Sequence, residues 1–138
     1  MNRITIDFVP HQNQRYATPG DYFYDQEADK GEHLKIVISK LGDEYLEELV
    51  AIHEMVEEML TRKFGITEQQ IMDFDIQYEK EREQGLHSPE DEPGFDKNSP
   101  YWKWHQVATS IEMLLCGLLD VNWEDYNNLF LQLKWRKK

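Results

Sequence analysis

Ile4, Ile6 and Phe8 alternate with Arg3, Thr5 and Asp7, and Leu34, Ile36 and Ile38 alternate with Lys35, Val37 and Ser39. A period of two puts each apolar set on one side of a pleated strand, so both segments read as strands. Between them, Pro19-Gly20 punctuates the chain ahead of Asp21-Tyr22-Phe23-Tyr24-Asp25, whose aromatics suit a third strand, and Asp29-Lys30-Gly31 reads as a turn into Leu34. The expectation for residues 1–41 is a small, mainly antiparallel sheet.

After Gly42 the period becomes helical. Tyr45, Leu49, Ile52, Val56, Met59 and Leu60 recur on one side, with Glu44, Glu47, Glu48, Glu54 and Glu58 on the other, which predicts a helix over 43–64. Gly65 is a natural stop, and Thr67 followed by Gln70 is a capping box that opens a second helix reaching residue 83. Residues 85–100 cluster Pro, Gly, Ser and acids with little to bury and read as a surface loop. A third helix follows over 101–119 and a fourth over 123–135, with Asn122 as its N-cap. The pattern predicts one α+β domain over 1–138, a sheet beside about four helices.

Two of these helices carry a polar anomaly on the apolar side. At about 100° per residue, Leu46, Leu49, Val50, Val56, Leu60 and Phe64 fall within roughly 60° of His53, and Glu57 sits among them near 40°. A carboxylate in an apolar stripe needs a partner, because burying it ionised and alone is too costly. On the third helix, Tyr101, Ala108, Ile111, Leu115, Cys116 and Leu119 share an arc with His105, and Glu112 falls in their midst as the only charged residue from 104 to 119. Each helix therefore contributes one histidine and one carboxylate toward the interior, as a metal site between facing helices requires.

His53 and Glu57, four residues apart, can ligate one ion, whereas His105 and Glu112 are roughly 10 Å apart along their axis. The expected ligand set is His53, Glu57 and His105, with Glu112 orienting an imidazole or serving a second metal. The string His53-Glu54-x-x-Glu57 is H-E-x-x-H with a carboxylate for the second histidine, and zinc accepts oxygen as well as nitrogen. Glu54 is the candidate general base and Asp75 a candidate further ligand of a dinuclear site. A metal-free network in which these histidines and glutamates satisfy one another is the competing account. His11, His33 and His87 read as surface histidines, and Cys116 and Trp102, Trp104, Trp123 and Trp135 as packing residues.

Charge narrows the partners. Lys and Arg total 15 against 27 Asp and Glu, a net charge of −12 that argues against general nucleic-acid binding. Lys134, Arg136, Lys137 and Lys138 read as cations complementing a helix end. A single cysteine excludes a disulfide framework within the chain and fits a reducing, cytoplasmic setting, and no apolar run is long enough for a membrane span.

The segments Gly20-Asp21-Tyr22-Phe23, Ala51-Ile52-His53-Glu54-Met55-Val56-Glu57, Phe74-Asp75 and His105-Gln106-x-Ala108-Thr109-x-x-Glu112 resemble a group of uncharacterised phage and prophage proteins, over residues 20–126. More distantly, the order of sheet, His53–Glu57 helix and later histidine helix is similar to zincin metallopeptidases, from which Glu57 is the departure. That likeness implies a zinc-dependent hydrolase acting on peptides, in which the strand over 34–39 borders the site and pairs with extended substrate. Two rivals remain open: a nucleotide or phosphate-ester hydrolase holding magnesium or manganese on Glu54, Glu57, Asp75 and Glu112, and a non-enzymatic acidic phage protein that binds a host protein.

Overall fold

A computed structural model of the chain describes residues 1–27 and 31–133. Strands β1 (Arg3–Val9), β2 (Gly20–Glu27) and β3 (Gly31–Ser39) precede helices α1 (Glu44–Lys63), α2 (Glu68–Glu83), α3 (Trp102–Leu118) and α4 (Trp123–Gln132), with 3₁₀ turns at His11–Asn13 and Pro93–Phe95. The cationic tail from Lys134 to Lys138, with Trp135, and the turn residues Asp29 and Lys30 lie outside the described residues.

The α+β class follows the hydrophobic pattern, but the sheet is mixed where an antiparallel one was expected. Its order is β1-β3-β2, with β2 antiparallel to β3 and β1 parallel to it, Ile4 beside Leu34 and Ile6 beside Ile36. Period two is the same in both pairings; the direction is set by the connection. Residues 10–19 carry the chain from the top of β1 across to the far edge, so the β2–β3 hairpin returns β3 between the other two.

Helix ends follow local chemistry. Asp43 Oδ1 accepts from the Tyr45 N–H at 2.9 Å, Thr67 and Gln70 form the capping box, and Asn122 Oδ1 accepts from the Asp125 N–H at 2.9 Å. The core gathers Leu34, Ile36 and Ile38 of β3, Leu49, Val50 and Ala51 of α1, Cys116 of α3 and Tyr126 of α4. Cys116 is thus a packing residue.

Helix α1 is held on two sides, by the sheet and by α3, so its buried arc is not the arc of its apolar residues. Glu58, expected outside, is fully buried, accepting from the Tyr24 hydroxyl at 2.8 Å and from Arg62 Nε at 2.7 Å. Tyr45, Ile52, Met59 and Phe64, assigned to the apolar side, are exposed, Phe64 stacking on Trp104. The segment 85–100 is more than surface loop, since Pro93, Gly94 and Ser99 are buried and the Pro93–Phe95 turn packs on α3.

Two histidines expected at the surface are also buried. The 10–19 connection folds over the end of β3 and seats His11 Nδ1 2.7 Å from Ser39 Oγ. His33, on the central strand, lies between Thr5 Oγ1 at 2.9 Å and Glu27 Oε1 at 2.6 Å. His87 is half-buried and stacks on Tyr78. Among the described residues no helix is long and apolar enough to cross a membrane.

Candidate metal centre

Where α1 crosses α3, three ligand-capable atoms converge. His53 Nε2 is 3.1 Å from Glu57 Oε2 and 3.2 Å from His105 Nδ1, and His105 Nδ1 is 2.8 Å from Glu57 Oε2. The i, i+4 spacing on α1 supplies His53 and Glu57 from successive turns, and α3 brings His105 against them. All three residues are buried, at 6% to 9% exposure. They form the one group of His, Cys, Asp or Glu of metal-holding geometry among the described residues.

Behind the triangle lies a second layer. His53 Nδ1 is 2.8 Å from Glu112 Oε1, and Glu112 Oε2 accepts a short hydrogen bond from the Tyr126 hydroxyl. A carboxylate can only accept, so Nδ1 carries a proton, and Nε2 is the atom that faces the triangle, protonated while the imidazole is charged and a lone pair once it is neutral. Glu112 therefore orients an imidazole across the helix interface, that of His53. Glu57 Oε1 accepts from the Tyr22 hydroxyl of β2 at 3.4 Å. The loop closes the other side: Phe95 stands edge-on to His105 at 4.7 Å, and Glu92 Oε2 is 3.6 Å from His105 Nε2, an atom with no hydrogen-bond partner.

Electrostatics follow this packing. Burial opposes a charge on His53, but hydrogen bonds to Glu112 and Glu57 outweigh it and raise its pKa well above the usual value. Burial works the same way on His105, and its hydrogen bond with Glu57 brings it up to about 9. Burial would raise Glu57, yet the two imidazoles pull it down to about 2. Glu54 is half-buried and its side chain lies over the start of β2, so close that a Cβ on Gly20 would stand 2.6 Å from Oε1. Burial and the Glu57 charge push Glu54 up to about 8.

Asp75 stands outside the triangle, where its Oδ1 accepts from the Tyr101 hydroxyl at 2.7 Å. The set Glu54, Glu57, Asp75 and Glu112 does not gather around one point among the described residues. Nor can β3 pair with substrate, because both its edges are occupied; β2 is the strand beside the site and keeps one free edge. Tyr126, Tyr22, Gly94 and Phe95 carried no periodic signal of a site role, although a glycine between Pro93 and Phe95 marks a close approach. No protein-family model, curated protein or solved structure matches the chain.

Proposed function

We propose that the chain is a zinc-dependent hydrolase of zincin-like arrangement, with peptides as its substrate class and phage biology as its setting. His53 Nε2, Glu57 Oε2 and His105 Nδ1 are the ligands. One observation carries this reading: the three atoms lie 2.8 to 3.2 Å apart with the other nitrogen of His53 tied to Glu112. A tetrahedral zinc with bonds of about 2.0–2.1 Å sets its ligand atoms roughly 3.3 Å apart, close to this triangle.

Protons can also hold the triangle, but only with two charged imidazoles side by side. With Nδ1–H directed at Glu112, His53 needs a second proton on Nε2 to reach Glu57. His105 Nδ1 needs one for the same oxygen, and the two N–H groups then face each other at 3.2 Å. A cation satisfies all three lone pairs at once. Two imidazoles with one carboxylate suit zinc or a similar transition metal better than magnesium, which prefers oxygen-only shells.

His53, Glu57 and His105 would hold the zinc, which would supply Lewis-acid polarisation of a scissile carbonyl and of water. Glu54, held protonated up to about pH 8 by burial and the Glu57 charge, would serve as the base in its ionised form, taking the water's proton and passing it to the leaving group. The free edge of β2, bearing Tyr22 and Gly20 next to Glu57 and Glu54, offers main-chain hydrogen bonds to an extended peptide.

The test is elemental analysis of protein purified without chelator or histidine tag, beside a His53→Ala, His105→Ala variant shown to be folded. Near one equivalent of zinc, lost in the variant, supports the site; no zinc even when offered overturns it in favour of a metal-free polar core. Glu54→Gln should keep the zinc and lose peptide hydrolysis, and retained hydrolysis would remove Glu54 from the role of base.

A further inference from the structure

Strand β1 is an unprotected edge. Its Ile4 and Ile6 are each 42% exposed and Phe8 is 38% exposed, although they lie on the same sheet face as the fully buried Leu34, Ile36 and Ile38 beside them. The cause is coverage: α1 packs over β3 and β2 and stops short of β1. Edge strands are ordinarily guarded by charged side chains, above all lysines, or by prolines; the segment Arg3–Val9 has no lysine or proline, and its two charges, Arg3 and Asp7, are of opposite sign. In a chain of net charge −12 this strand is itself neutral, so it adds no like-charge repulsion of its own when it meets its copy.

We infer that β1 pairs antiparallel with β1 of a second copy of this chain about a two-fold axis, joining two three-stranded sheets into one of six strands. Charge sets the register. With Thr5 opposite Thr5 of the partner subunit, Arg3 lies opposite the partner's Asp7 and Asp7 opposite the partner's Arg3, at the short separation of directly facing residues. The same register sets Ile4 against the partner's Ile6 and Ile6 against the partner's Ile4, closing both apolar stripes together. A shift of two residues either way loses both ion pairs, and a shift of four sets Arg3 against Arg3 or Asp7 against Asp7.

Both charged groups are available. Arg3 is about half exposed, and its contact with Glu27 is a long 3.4 Å one to an oxygen that also serves His33 at 2.6 Å, leaving guanidinium donors free. Asp7 is exposed and has no ion-pair partner among the described residues. The interface is isologous, as a two-fold contact must be. It places both helical layers on one side of the continuous sheet and leaves the His53 centre, across α1 from β1, uncovered.

The experiment is sedimentation equilibrium of the full chain at physiological ionic strength, for wild type, Arg3→Glu, Asp7→Arg and the double charge exchange Arg3→Glu, Asp7→Arg. Wild type should show a reversible monomer–dimer equilibrium. Each single reversal strikes two symmetry-related pairs and should weaken the dimer by roughly 10-fold or more, while the double exchange should restore it to near the wild-type value. Circular dichroism checks that each variant is folded. A wild type that stays monomeric up to roughly 0.5 mM overturns the inference, and so does a dimer that the single reversals leave intact or the double exchange fails to rescue. None of these readouts depends on metal binding or catalysis.

Discussion

Gly94→Ala probes how the loop and the proposed zinc site depend on each other. A Cβ at this position would stand 2.7 Å from both Cγ and Nδ1 of His105 and 2.8 Å from Cδ2. Ordinary carbon contacts are about 3.5–4.0 Å, so the ring or the loop has to move by about 1 Å. The ring has no flexible end to swing aside: Phe95 and His53 stand edge-on to it, each at 4.7 Å between ring centres. Overpacking of this kind costs about 1–3 kcal/mol. Ligand positions tolerate only about 0.2 Å of error, and Nδ1 is one of the atoms displaced, so zinc affinity should fall by about 10–100-fold, as when the support of a ligand is lost.

Stability is measured by urea denaturation of metal-free protein and zinc affinity by competition with a chromophoric chelator. Gly117→Ala on the same helix is the control. Nothing lies within 4 Å of its added methyl, so it should gain about 0.5–1 kcal/mol and bind zinc as wild type does. A Gly94→Ala variant as stable as wild type, with equal zinc affinity, would refute the claim that this loop fixes His105.

Two further outcomes follow from the buried Glu112 and the half-buried Asp75. Glu112→Gln keeps the shape of the link between His53 and Tyr126 but removes its charge, so zinc affinity should fall by about 10-fold; an unchanged affinity in competition titration would show that Glu112 does not set the His53 tautomer. Burial raises Asp75 to about 6, against the hydrogen bond from Tyr101 and with the Glu57, Glu79 and Asp21 charges adding to the rise. A carboxyl whose folded pKa exceeds its unfolded one binds its proton more tightly when folded, so stability falls as pH rises from about 4 through 6 and the penalty is fully present above that. Asp75→Asn should therefore stabilise the protein at pH 7 by on the order of 1–3 kcal/mol and make no such gain near pH 4. Parallel denaturation curves that differ equally at both pH values would contradict this.

The helix starts at Asp43, Thr67 and Asn122, the period-two strands and the inward placement of His53, Glu57, His105 and Glu112 were all legible in the chain, because each rests on neighbours within one or two helical turns or one strand. The buried cluster was visible for the same reason: a histidine and a carboxylate out of place in each apolar stripe announce themselves without reference to the partner helix. What the stripe could not show was its own width. Glu58 is buried and Met59 exposed because α1 is gripped by both sheet and α3, a fact about neighbours 30 or more residues away in the chain.

Tertiary structure alone decided the rest. Strand direction depends on which edge the 10–19 connection reaches, and period two is blind to it, so β3 became central and β2 became the strand beside the site. The link from His53 through Glu112 to Tyr126 joins α1, α3 and α4, and the closure of Gly94 over His105 joins a loop to a helix. Such contacts carry no periodic signature, since periodicity reports which face of an element turns inward and not what waits there to meet it.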